Sequence, residues 1–225
     1  MLLEQASIIR EKRRTIKITI NREGNLIVFC PFGISTIQIE KILSSKKNVL
    51  EKKVIKAKAI ASKYSKIINQ ENILLFGKEY IIIPTTKFSK PSFTEEYFLV
   101  PKKYYNVEKM TYCIKKTVKD IAERVVVKRA QDIARIYNYK DVNKIIIGDF
   151  RAKWGSCDQF GVIKLNYKLA MLDPKLIDFV IFHELTHLKE MNHSSRFYSE
   201  LEKICPDWKS SREVLKVYSF LLELY

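Results

Sequence analysis

LIDFVIFHELTHLKEMNH, residues 176–193, holds every histidine of the 225-residue chain: His183, His187 and His193. Its first half is apolar on most sides, which predicts a helix largely buried in a core. Asp173-Pro174 just before it supplies an N-cap and a proline at the first helical position, where a missing N–H costs nothing. A four-residue spacing puts the imidazoles of His183 and His187 on one face, one turn apart. Two such nitrogens grip one ion at about 2.0–2.1 Å. Glu184 is offset by about 100° around the axis. It need not be a ligand and is placed to take a proton from water beside an open coordination position.

A catalytic tetrahedral site needs a third ligand. Glu190 lies on the right face but about 10 Å from His183 along a straight helix. His193 serves if the chain bends near Met191-Asn192, Asn being tolerant of the left-handed conformation that ends helices. Ser194 and Ser195 then offer an N-cap for RFYSELEKI. Glu200 or Glu202 on that following helix is the rival third ligand. With every histidine in one window, none is left to activate a serine or a cysteine. The reaction class is therefore metal-assisted hydrolysis of an amide, with Zn2+ as cofactor, a peptide or protein as substrate and Glu184 as general base.

Upstream, TIKITINREGNLIVFCPFG (15–33) reads as a hairpin turning at Glu23-Gly24-Asn25. Ser35 with Gln38 forms a capping-box pattern. ENILLFGKEYIIIP (71–84) is a second hairpin, with Gly77-Lys78 at its tip. EEYFLV (95–100) is a further strand. From about Val107 to Tyr137 a long amphipathic helix is expected, with Ile114, Val118, Ile121, Ala122 and Val125 at helical spacing. The segment 144–168 reads as strand, loop (RAKWGSCDQFG) and strand, able to offer a sheet edge to an extended peptide. Trp154 and Gly155 would shape the cleft wall, and Ser156 or Asn166 would donate hydrogen bonds to substrate. Lys153 and Arg151 are candidates for stabilising an oxyanion; Tyr167 and Tyr198 are weaker donor candidates. Trp208 and a Ser210…Glu213 capping box read as helix packing. The composition shift near 101–107 suggests a basic, strand-rich N-terminal region, 1–105, and a second region, 106–225, that carries the histidines.

Charge divides the same way. Of the net +16, residues 1–105 carry +11, from 20 Lys and Arg against 9 Glu, whereas from Asp173 onward 7 basic residues face 9 acidic ones. A cationic field of that size attracts polyanions, so nucleic acid is a possible partner of the N-terminal half. This leaves two further readings: a nucleic-acid-binding module with a structural or vestigial zinc, and a DNA-associated protease combining both activities. No apolar run approaches the roughly 18 residues of a membrane span. The basic N-terminus lacks a secretion-signal pattern. The four scattered cysteines form no CxxC pair. Together these point to a cytoplasmic location, with no membrane partner; oligomeric state is not legible.

The pattern HExxHxxxxxH resembles the zincin metallopeptidases. Its histidine spacing is that of the metzincins, but Glu190 stands where they have Gly and no Met-turn follows His193. With RRTIKITINREGNLIVFCPFGIS (13–35), RAKWGSC (151–157) and the run from Ile163 to Tyr198, the chain more closely resembles the YgjP-like metallopeptidases, related to SprT-like proteases. The resemblance implies an α+β fold: a zincin-like domain with its HExxH helix beside a small sheet, preceded by a β-hairpin-rich region. It also implies zinc on His183, His187 and His193 with Glu184 catalytic. SprT-like relatives include proteases acting on DNA-bound proteins, which would give the basic half a role.

Overall fold

The computed structural model describes residues 6–224. It is a mixed α+β chain that divides between Ile68 and Asn69 into two compact units.

The first unit holds β1 (Ala6–Arg10), β2 (Lys17–Ile20), β3 (Leu26–Cys30), α1 (Thr36–Ser45), α2 (Lys47–Lys63) and α3 (Ser65–Ile68). β3 is the central strand, antiparallel to β2 and parallel to β1. The expected hairpin is therefore present. Alternate residues of β3, Leu26, Val28 and Cys30, face a core completed by Ile39 and Leu43 of α1 and Leu50 and Val54 of α2. Ser35 and Gln38 form the full capping box at the start of α1. The hairpin turns through Gly24 at φ +83°; a Cβ there would also meet the Lys58 backbone nitrogen at 2.8 Å.

The second unit begins with β4 (Asn72–Leu75), β5 (Lys78–Thr85), β6 (Ser92–Phe93) and β7 (Tyr97–Pro101), in the order β4-β5-β7-β6. The β4–β5 turn is Phe76-Gly77, both at positive φ, one residue earlier than the tip expected. It docks on the segment leading to the histidine helix: Phe76 N–H donates to Ala170 O at 2.8 Å, and a Cβ on Gly77 would lie 3.1 Å from Asp173 Cα. Residues 69–105 fall with 106–224 in the second compact unit, and this turn is one of their points of contact. The composition shift at 101–107 falls inside that unit.

The long helix is α4 (Val107–Ile121), a π turn over 122–126, and α5 (Val127–Ile136). Ile114, Val118, Ala122, Val126 and Ala130 are buried, each four residues from the last. Steps of four overshoot an α-helical turn by about 40° each. The wider π turn absorbs that drift and keeps the row facing the core. Val125, expected inside, is consequently 46% exposed.

β8 (Lys144–Gly148), β9 (Gly155–Cys157) and β10 (Val162–Asn166) form a sheet ordered β8-β10-β9, with β10 parallel to β8 and antiparallel to β9. β9 lies within the stretch expected to be loop, and it is an edge strand. After a 3-10 turn (167–171) come α6 (Pro174–Thr186), α7 (Ser195–Ile204) and α8 (Trp208–Val217). α6 is buried on most sides, and Arg129 of α5 clamps it with two bonds to the Asp178 carboxylate, at 2.8 and 2.6 Å. Lys168 is fully buried and donates from Nζ to Leu222 O at 2.8 Å, tying this turn to the C-terminal segment. α8 starts at Asp207 without a side-chain cap; Ser210 Oγ donates instead to Asp207 O, so the expected Ser210…Glu213 box does not form. All four cysteines are free, and no helix among the described residues is long and apolar enough to cross a membrane.

Candidate active site

Asp173 caps α6 by accepting from Lys175 N–H at 2.9 Å, with Pro174 at the first helical position as expected. The helix runs to Thr186, so His183 and His187 fall on its last turn and its C-cap. The chain then bends. Lys189 and Glu190 N–H both donate to Thr186 O, and Ser194 caps α7 by accepting from Phe197 N–H. The bend does not use a left-handed Asn192: the non-glycine residues at positive φ among those described are Gln70, Phe76 and Asn138.

This bend returns His193 to the helix. Its Nε2 lies 2.9 Å from Nε2 of His183, and ligand atoms of His183, His187 and His193 all fall within 4.8 Å of one another. The Nδ1–H of His187 donates to Glu190 O at 3.2 Å. A carbonyl can only accept, so that bond fixes the tautomer and leaves Nε2 of His187 with its lone pair. Phe197, fully buried, packs its ring 4.6–4.9 Å from all three imidazole centroids and forms the floor of the cluster. Burial, then the positive charge of His187, His193 and Arg212, pushes the His183 pKa down to about 3. Converging imidazole nitrogens, one of them oriented by a backbone carbonyl, are a donor set suited to a divalent transition metal.

Glu184 is 5% exposed, and a Cβ on Gly155 would approach its Oε1 to 2.7 Å. Strand β9 therefore lies directly against the carboxyl group. Burial raises the Glu184 pKa to about 7, with Lys153 pulling weakly the other way. A cavity of about 720 Å³ opens over the cluster. One wall is Lys153, Trp154, Gly155, Ser156 and Cys157; another is Phe179, Val180 and Glu184 of α6. The Cys157 thiol is pushed up to about 11, chiefly by burial and then by Glu184.

Trp154, Gly155 and Ser156 thus line the cavity, as does Lys153. Asn166 does not. It is fully buried, its Nδ2 donates to Phe150 O at 2.8 Å and Lys153 O at 3.0 Å, and its Oδ1 accepts from Lys168 N–H. Both amide protons are spent on holding the 150–153 loop, so Asn166 positions the wall and cannot donate to substrate. Tyr167 is likewise fully buried, whereas Tyr198 lines the cavity and stacks on Trp208 at 4.6 Å. Arg151 is not among the lining residues. Glu200 pairs with Lys189 and Lys203, and Glu202 with Lys209; neither joins the histidine cluster.

Sequence reasoning missed the third wall. Trp208, Arg212 and Leu215 line the cavity from α8 at i, i+4 and i+7, one helical face. That spacing was the available signal, and it reads equally as packing.

A family model described as a YgjP-like metallopeptidase domain matches residues 14–218. The chain belongs to that family. As a YgjP-like metallopeptidase it is a hydrolase whose family implies a divalent metal and peptide substrates. Among solved structures, the metallopeptidase zymogen of Pyrococcus abyssi abylysin aligns with 25% identity over 40% of this chain and 91% of that one, at a TM-score of 0.37. No curated protein matches.

Proposed function

We propose that this YgjP-like chain is a zinc-dependent peptidase in which His183, His187 and His193 hold the metal and Glu184 is the general base. The observation that carries the proposal is the convergence of three imidazole nitrogens within 4.8 Å, with the Glu184 carboxyl one residue along lining the same cavity. Zinc bound there would supply Lewis acidity toward water and a carbonyl oxygen.

The chain's own groups do the rest. Glu184 takes the proton of the attacking water on its carboxylate and delivers it to the departing amine. Its raised basicity comes from burial and suits both transfers near neutrality. The free edge of β9 offers the Gly155 and Cys157 backbone groups to an extended peptide, which would add to the sheet as a strand, with Trp154 and Ser156 on the same wall. Lys153 and Tyr198 are among the side-chain donors lining the cavity and are candidates to meet a developing oxyanion.

Glu184→Gln tests the role. The variant should bind zinc as the native protein does and lose peptide hydrolysis by about three orders of magnitude or more. Wild-type turnover in Glu184→Gln would remove Glu184 from the base role.

A second reading adds nucleic acid. It rests on α2, where exposed Lys47, Lys52, Lys53, Lys56, Lys58 and Lys63 face one Glu51. Binding through such a helix would fall steeply with salt. Electrophoretic shifts across a salt series discriminate: no binding at low salt removes this reading, and hydrolysis stimulated by DNA would join it to the first.

A further inference from the structure

We propose that Arg212 recognises a carboxylate on the substrate, so that the cavity selects peptides bearing an acidic side chain or a free C-terminus within reach of the cleaved bond. The inference rests on the peptidase reading and names its substrate class.

The first observation is charge. Of the residues lining the 720 Å³ cavity, Glu184 is the one acid, and Lys153 and Arg212 are the cations outside the histidine cluster. Lys153 is already engaged over the Phe150 ring at 4.7 Å. The second is pairing. The flanking basic residues of α8 each have a carboxylate, Lys209 with Glu202 and Lys216 with Glu213. Arg212 has none among the described residues, although acids outnumber bases from Asp173 onward. An arginine left unpaired in the acidic part of the chain, facing the cavity that holds the histidines, is a receptor for an anion supplied from outside.

The third observation is the surroundings. Trp208 and Leu215 flank Arg212 on the same helical face, and Phe179 adds to the apolar lining. Apolar neighbours on that face suit the aliphatic stem of the arginine, while Arg212 is exposed and so within reach of an incoming carboxylate. The guanidinium fork matches a carboxylate through two parallel bonds, a geometry an ammonium cannot supply. A neutral amide offers a single carbonyl acceptor and no charge, and a basic group offers neither.

The test reads binding without turnover. It uses the full-length Glu184→Gln protein and acetylated hexa-alanine peptides carrying one Glu or one Gln at each position in turn, each with an amidated or a free C-terminus. Isothermal titration should show at least one carboxylate peptide binding about tenfold tighter than its amide counterpart. A Glu-over-Gln difference assigns the carboxylate to a side chain; an acid-over-amide difference assigns it to the C-terminus. Adding Arg212→Gln should abolish the preference, and adding Arg212→Glu should transfer it to Lys-bearing peptides, a swap that simple damage to the fold would not produce. Equal or undetectable binding of all peptides, or a preference that survives Arg212→Gln, overturns the proposal. Absence of hydrolysis or of zinc in the native protein would defeat the peptidase reading instead, and leaves these affinities measurable.

Discussion

Gly155 and Glu184 are in direct apposition: a Cβ on the glycine would stand 2.7 Å from Oε1, 2.8 Å from Cγ and 2.9 Å from Cδ of the glutamate. No real Cβ approaches other atoms so closely. The edge strand and the acid can share this space only because residue 155 has no side chain.

Gly155→Ala should therefore act on Glu184 itself. The glutamate must swing away or β9 must retreat, and a displacement of about 1 Å at a reacting group costs on the order of a hundredfold in rate. We expect peptide kcat/KM to fall by about that factor while zinc content, measured by elemental analysis, stays at the native level. An alanine variant with native kinetics would mean that Glu184 and β9 are not in direct contact.

The third ligand is tested by truncation. His193→Ala should weaken zinc binding by about a hundredfold or more in competition with a chromophoric chelator, because two imidazoles remain where three converged. Glu200→Ala and Glu202→Ala should leave affinity unchanged, since both carboxylates are occupied by lysines away from the cluster. Loss of affinity on removing Glu200 or Glu202, with none on removing His193, would reassign the ligand.

Much of this site was legible in sequence because its signals are local. Asp173-Pro174 set the start of α6, a four-residue spacing set the His183–His187 face, and Ser194 set the restart that returns His193. The two hairpins were legible for the same reason, from alternation and glycine turns. What was not legible depends on partners distant in sequence. Gly155–Cys157 is too short to show alternation, and becomes a strand only because β10 pairs with it. Asn166 looks like a donor until the loop carbonyls of Phe150 and Lys153 claim its amide. Trp208, Arg212 and Leu215 have the periodicity of any packed helix, and only the fold turns that face toward the histidines.

Lys168 gives a pH signature independent of the active site. Burial lowers its pKa from 10.5 to about 8, with Asp149 opposing and Lys115 and Arg151 adding to the shift. Between about pH 8 and 10.5 the unfolded chain holds this proton and the folded chain does not. Stability from this group therefore rises with pH across that window, and the cost of burying the charge is fully present below it. Lys168→Met removes the titration. Its stability relative to wild type, from urea unfolding, should be about 3 kcal/mol more favourable at pH 7 than at pH 10.5. A difference that is flat with pH would show that Lys168 keeps its proton in the fold.

The most direct measurement is the metal content of the native protein purified without chelators, read by inductively coupled plasma mass spectrometry. We expect about one zinc per chain, lost on His183→Ala or His187→Ala and retained in Glu184→Gln. Native protein that carries no stoichiometric transition metal, and does not take up zinc when it is added, would contradict the three-histidine centre and the hydrolytic chemistry built on it.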